Sequence, residues 1–216
     1  MKLTYFNIRG LAETSRILLA ITEIPYEDFR YPLNIIDLKS FNMEKKEFDD
    51  DKKNNKLLNS LNKAPFLEVD NVIIPQSKAI ERYIATLGNM MGDSPIEYAR
   101  IDSICECIRD FKDVYQRVRK SENKEEEMTK WFTETLPERL GLLENIIGKE
   151  NNLFSVGNRL SLADVVIFAF ITQFFDDKTR AMDATNNTTN VRNIVNNVAG
   201  NEKVINWLNN RPDTLM

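Results

Sequence analysis

A chain with no histidine anywhere in its 216 residues cannot run a Ser–His–Asp triad, an imidazole general base or a His metal site, so its chemistry must rest on other groups. Gln76 and Ser77 precede a predicted helix that begins at Ser77. The N–H groups and dipole at a helix start bind a carboxylate, and a Ser there also serves as an ordinary N-cap. Ser161, followed three residues later by Asp164, has capping-box spacing. The hydroxyl accepts from the Asp164 N–H, and the carboxylate reaches back to the N–H of Ser161, with Asp standing in place of the usual Glu or Gln. The run Val165–Ile171 that follows is apolar nearly all round, which predicts a buried central helix. Tyr5 lies near the end of a predicted first strand. Cys105 and Cys107 are two apart on different faces of a helical stretch, which is no disulfide framework and suits a reducing, cytoplasmic setting.

The elements that must hold these groups fall into two kinds. Leu3–Phe6 reads as a strand, Ala12–Ile21 as a helix and Tyr26–Tyr31 as a second strand. Phe66–Val69 and Val72–Ile74 flank Asp70-Asn71, a hairpin turn. From residue 96 on, the periodic segments 96–120, 124–147, 161–174 and 191–208 are all helical. The expected architecture is α/β plus all-α: a thioredoxin-like domain over 1–87, a linker over 88–95 and a helical-bundle domain over 96–216. Within the unusual segment 34–60, the polar stretch Phe48–Asn55 reads as a solvated helix or mobile loop. A net charge of −4 and a pI of about 5.2 offer no field that recruits nucleic acid or an anionic membrane. No apolar run approaches the roughly 18 residues of a membrane span, and the chain enters its first strand with no signal peptide.

Several local motifs occur together in a recognisable order. Leu3-Thr4-Tyr5-Phe6-Asn7-Ile8-Arg9-Gly10-Leu11-Ala12-Glu13, Ala64-Pro65-Phe66-Leu67-Glu68-Val69-Asp70, Pro75-Gln76-Ser77, the box at Ser161–Asp164 and the tail Asn206-Trp207-Leu208 with Arg211-Pro212 resemble the cytosolic glutathione transferases. The resemblance is strongest to the Tyr-type sigma class, which includes glutathione-dependent prostaglandin D synthase. It implies that Tyr5 donates a hydrogen bond to the glutathione sulfur, so that the protein activates the nucleophile of its cosubstrate. It implies a cis bond at Pro65, with the Ala64 backbone pairing with the cysteinyl amide. Gln76 and Ser77 would hold the γ-glutamyl carboxylate, with Phe6 and Leu11 beside the tripeptide, and no cofactor is bound permanently. Lys56, nine residues before Pro65, has the spacing of the lysine that binds the glycyl carboxylate. Its aromatic partner is missing, Lys52 standing in that place, with Phe48 as a substitute. Asp110 would cross a homodimer interface to the γ-glutamyl ammonium of the other subunit.

The same resemblance implies a hydrophobic electrophile pocket built from Ile8, Gly10, Leu11, Arg117, Phe170 and the tail near Leu215. Leu11 stands where many sigma members carry Arg, and Arg117 where the prostaglandin enzyme has Trp. Arg109 among Glu106 and Asp110 argues against that enzyme's divalent-ion site, so no metal is expected. A Cys-type or Ser-type nucleophile activator is not in register, since Thr14 and Ser15 fall out of phase. The reading is a glutathione transferase acting on hydrophobic electrophiles, with peroxide reduction as a possible side activity. The alternatives are a catalytically weak binding protein on the same fold, or a glutathione-dependent prostaglandin isomerase. Leu61 is an apolar plug candidate between subunits.

Overall fold

The computed structural model describes residues 1–37, 42–147 and 153–214. Leu3, Thr4 and Tyr5 are buried in succession, as befits a strand covered on both faces. Strand β1 (Lys2–Phe6) runs through a 3₁₀ turn (Gly10–Ala12) into helix α1 (Glu13–Thr22) and strand β2 (Glu27–Tyr31). Strands β3 (Asn34–Asp37) and β4 (Asn42–Glu44) follow, then helix α2 (Lys46–Lys53), strands β5 (Phe66–Val69) and β6 (Val72–Pro75), and helix α3 (Ser77–Leu87). The main sheet has the order β2-β1-β5-β6, with β1 parallel to β2 and antiparallel to β5. The β5–β6 hairpin turns on Asp70 and Asn71, both left-handed at φ 47° and 67°, the conformation of a two-residue type I′ turn.

The polar stretch Phe48–Asn55 falls largely on helix α2, exposed or half-buried except at Phe48, as a solvated helix should be, while the rest of 34–60 holds structure not expected of it. β3 and β4 pair antiparallel as a separate two-stranded sheet, and α2 is tethered by one apolar residue in an otherwise charged octapeptide. Phe48 is buried with Tyr31, Leu57 and Phe66, its ring edge-on to Phe6 at 5.0 Å. The Tyr31 hydroxyl donates to Asp51 at 2.8 Å on the same helix. Phe48 is thus a core residue beneath the sheet, which removes it as a pocket substitute beside Lys56.

The helical part comprises α4 (Pro95–Arg119), α5 (Lys124–Lys130), a π turn (Trp131–Thr135), α6 (Leu136–Ile146), α7 (Leu162–Gln173), α8 (Lys178–Asp183), α9 (Thr189–Ala199) and α10 (Glu202–Asn210). Ser94 caps α4, its hydroxyl accepting from the Glu97 N–H at 3.2 Å, with Pro95 in the first turn. Two expected long helices are broken. Pro137 removes a backbone donor inside 124–147, and the ladder widens into the π turn just before it, burying Trp131. The segment 191–208 parts at Gly200 and Asn201, where Asn201 Oδ1 accepts from the Lys203 N–H at 3.0 Å and starts α10. Helix α7 is buried from Leu162 to Ile171 and packs against α4 and α9, the central position its sequence predicts. The chain divides into one unit of Met1–Ile84 with Asn210–Met216 and a second of Ala85–Asn209.

Candidate active site

Strand register brings three of the sequence motifs to one end of the main sheet. Thr4 pairs with Phe66, and Phe66 with Pro75. One step further along each strand lie Tyr5, Pro65 and Gln76, side by side. The Ala64–Pro65 peptide bond is cis. Gln76 is exposed and left-handed at φ 75°, and its carbonyl accepts from the Ile80 N–H at 3.1 Å. Gln76 is therefore the capping position and Ser77 the first helical residue, so the helix starts one place earlier than a Ser77 N-cap would have it. The first N–H groups of α3 have no intrahelical acceptor and present their dipole to an anion.

Tyr5 is the centre of this end. Its ring lies 5.4 Å from that of Phe6, and its hydroxyl oxygen accepts from the Leu11 N–H at 3.3 Å. The phenolic proton has no acceptor among the described residues and is available to a ligand. Burial pushes the Tyr5 phenol above its ordinary value, while the Leu11 N–H and the Arg16 charge draw it part of the way back; at neutral pH it is a donor. Gly10 makes the approach possible: at φ +41°, a Cβ there would sit 2.7 Å from the Tyr5 hydroxyl, so only glycine meets both the backbone angle and the space. Leu11 is 57% exposed beside it, an apolar surface next to the phenol. Ile8 is buried, and its carbonyl accepts from Arg16 at 2.8 Å, so it contributes backbone rather than open surface.

The other expected site residues lie elsewhere in the chain. Lys56 is 65% exposed and paired with Asp51 at 2.8 Å. Asp110 and Arg117 are exposed on α4. Phe170, expected in the pocket, has no exposed surface and packs against Phe111, Phe174 and Phe175, because α7 is covered all round. Leu215 lies outside the described residues. Ser161 and Asp164 form the reciprocal capping box. Asp164 Oδ2 accepts from the Ser161 N–H at 2.7 Å and its hydroxyl at 2.8 Å, and Oδ1 from the Ser155 N–H at 2.6 Å. Burial raises the Asp164 carboxyl, and these hydrogen bonds oppose the rise. Among the described residues no group of three or more His, Cys, Asp or Glu is arranged to hold a metal ion.

Sequence reasoning missed what lies behind Tyr5. Arg16 is completely buried on α1, with Glu13 buried one turn before it. The signal was available: Glu13 and Arg16 stand at i,i+3 spacing at the start of an apolar helix, where charges need partners.

A phenol donor, a cis-proline and an open helix N-terminus thus lie together at one end of the sheet. Comparison with known proteins shows the family. Residues 1–86 match the profile "Glutathione S-transferase, N-terminal domain" and residues 109–211 match "Glutathione S-transferase, C-terminal domain". Hematopoietic prostaglandin D synthase of Gallus gallus is 36% identical over 164 residues, 76% of this chain and 73% of its own length. Glutathione S-transferase 2 of Gallus gallus is 31% identical over 174 residues, 79% and 74% of the two chains. The crystal structure of the monomeric glutathione S-transferase Na-GST-3 of Necator americanus superposes with a TM-score of 0.80 at 25% identity, covering 100% of this chain and 98% of that one. The chain belongs to the glutathione S-transferase family. It is an enzyme with glutathione as cosubstrate.

Proposed function

We propose that this transferase is sigma-like, that Tyr5 stabilises the glutathione thiolate by hydrogen bonding, and that the thiolate attacks hydrophobic electrophiles. The observation that carries this is the Tyr5 hydroxyl itself: its oxygen is engaged by the Leu11 N–H at 3.3 Å, which leaves its proton for the sulfur. Gln76, Ser77 and the start of α3 take the γ-glutamyl carboxylate, and the Ala64 backbone takes the cysteinyl amide. Exposed Leu11 supports an apolar acceptor lying alongside, and holding thiolate and acceptor together supplies the other large catalytic contribution. Lys56 reaches the glycyl carboxylate only by sharing its charge with Asp51, so its contribution to affinity is small. A cytoplasmic location accords with Cys105 and Cys107 as free thiols. Calorimetric titration with glutathione, followed by turnover of an aryl halide in the same sample, tests the reading. Binding with turnover is expected, and absence of glutathione binding would sink it.

We further propose a homodimer, in which Asp110 faces the glutathione held by the other subunit. Two surfaces support this. Leu61 is 57% exposed at a left-handed position, φ 59°. The start of α4 and the end of α6 form an open groove of about 450 Å³ lined by Ile96, Ala99, Ile104 and Ile146, with Arg100 and Ser103 beside them, and Ile96 itself is 72% exposed. An apolar plug from one copy entering this groove of the other removes both exposed surfaces from water. Leu61→Arg is expected to weaken association by about tenfold or more, because its guanidinium would meet Arg100 in the groove lining, and a desolvated charge without a counter-charge costs several kcal/mol. Analytical ultracentrifugation of both proteins reads this directly, and a wild-type chain that sediments as a monomer overturns it.

A further inference from the structure

We propose that Arg211, in the C-terminal tail, is a positioning residue for Tyr5, acting through Glu13 and Arg16. The inference rests on the assignment of Tyr5 as the thiol-activating group. Arg16 Nη1 donates to the Ile8 carbonyl at 2.8 Å and to the Arg9 carbonyl at 3.4 Å. Those two carbonyls precede Gly10 and Leu11, and the Leu11 N–H holds the Tyr5 hydroxyl at 3.3 Å. The guanidinium therefore shapes the turn that aims the phenol, and it also lies 6.0 Å from the Tyr5 ring. A cation with no exposed side-chain surface must be balanced locally. Asp28 does so at 3.2 Å, and Glu13 more loosely at 3.7 Å.

Glu13 is the hinge of the network. Its side chain is 3% exposed, and its Oε1 is held by Arg211 Nη1 at 2.5 Å, across 198 residues of sequence. The tail from Asn210 belongs to the same structural unit as α1 and β1. While Arg211 holds Glu13, Arg16 Nη1 is left to the Ile8 and Arg9 carbonyls. Without Arg211, the buried carboxylate pulls harder on the Arg16 guanidinium, whose Nη1 already lies 3.7 Å from Glu13 Oε2, and draws it off the Ile8 and Arg9 carbonyls. The turn then loosens, the Leu11 N–H leaves the Tyr5 oxygen, and the phenol loses its aim at the sulfur.

The test compares Arg211→Met, which keeps the aliphatic stem, with Arg211→Lys, which keeps the charge, each checked for folding by circular dichroism. Arg211→Met is expected to lower kcat about tenfold, with KM for glutathione within about twofold, as for an interaction that matters chiefly in the transition state. The acid limb of kcat/KM against pH should move upward, and Arg211→Lys should restore much of both. The same substitution is then made in a Tyr5→Phe background, where it should add little if the two residues act in series. A tail that only anchors the fold would lower the melting temperature while leaving kcat and the pH limb of the folded protein unmoved; that result overturns the proposal. Additive effects in the double variant overturn it as well. If Tyr5→Phe alone leaves the limb in place, it is the assignment of Tyr5 that fails, and the two failures are told apart.

Discussion

Tyr5→Phe is expected to lower kcat/KM by about 10- to 100-fold at pH 6.5–7, with glutathione affinity nearly unchanged. A free thiol ionises near 8.5, and a hydrogen bond to a charged acceptor contributes about 1.5–3 kcal/mol, which lowers the thiol pKa by roughly one to two units at about 1.4 kcal/mol per unit. The acid limb of the rate should therefore lie near roughly 7 in the wild type and move upward by that amount in the variant. Above the new limb both proteins hold thiolate, and the gap should close. It can even reverse, because a thiolate of higher pKa is intrinsically more nucleophilic. The donor itself stays protonated throughout: burial raises the Tyr5 phenol above its ordinary value of 10.0, so no loss of rate from its ionisation is expected below that pH. Affinity survives because the carboxylates and the cysteinyl amide are held at Gln76, Ser77 and Ala64 rather than by the phenol. The measurement is kcat/KM from pH 5.5 to 9.5 for both proteins, with thiolate followed by ultraviolet difference absorbance at saturating glutathione. Superimposable profiles would remove Tyr5 from the chemistry.

What could be read in advance was what is encoded locally. The hairpin at Asp70-Asn71 and the capping box at Ser161–Asp164 each lie within a few residues, and both are present. The two-part architecture follows from a change of hydrophobic period, and the family from motifs in order. What escaped the sequence depends on distant partners. Phe48 gave no sign that it would anchor a charged helix, because Tyr31, Leu57 and Phe66 are remote in the chain. Lys56 looked unengaged until α2 placed Asp51 beside it. Phe170 is apolar whether it lines a pocket or fills a core, and periodicity cannot separate the two on a helix that is apolar all round. The Arg16–Glu13–Arg211 network joins the two ends of the chain, and no local rule pairs them. Helix breaks at the π turn and at Gly200 sit where Pro137 and Gly200 interrupt periodic runs, so the breaking residues were visible, while the positions of the breaks were set by packing.

The largest effect on stability is expected at Asp164. This carboxylate is fully buried and satisfies two backbone donors, Ser155 N–H at 2.6 Å and Ser161 N–H at 2.7 Å, together with the Ser161 hydroxyl at 2.8 Å. Asp164→Ala leaves two buried N–H groups without an acceptor, at about 1–3 kcal/mol each, for a loss of roughly 3–4 kcal/mol. In a chain of this length that lowers the melting temperature on the order of 10 °C. Asp164→Asn keeps one acceptor oxygen for Ser155 but turns an amide NH₂ toward the Ser161 N–H, donor against donor, so it should recover only part of the loss. Ser161→Ala removes the hydroxyl yet leaves both backbone donors satisfied by the carboxylate, and should cost only about 1 kcal/mol, as for an ordinary cap. The order Ala at 164, then Asn at 164, then Ala at 161 distinguishes the two meanings of the motif. If all three variants melt together, the box is a helix cap and nothing more. If Asp164 stands apart, it is the acceptor that ties the loop at Ser155 to the start of α7, and the central helix of the domain depends on it.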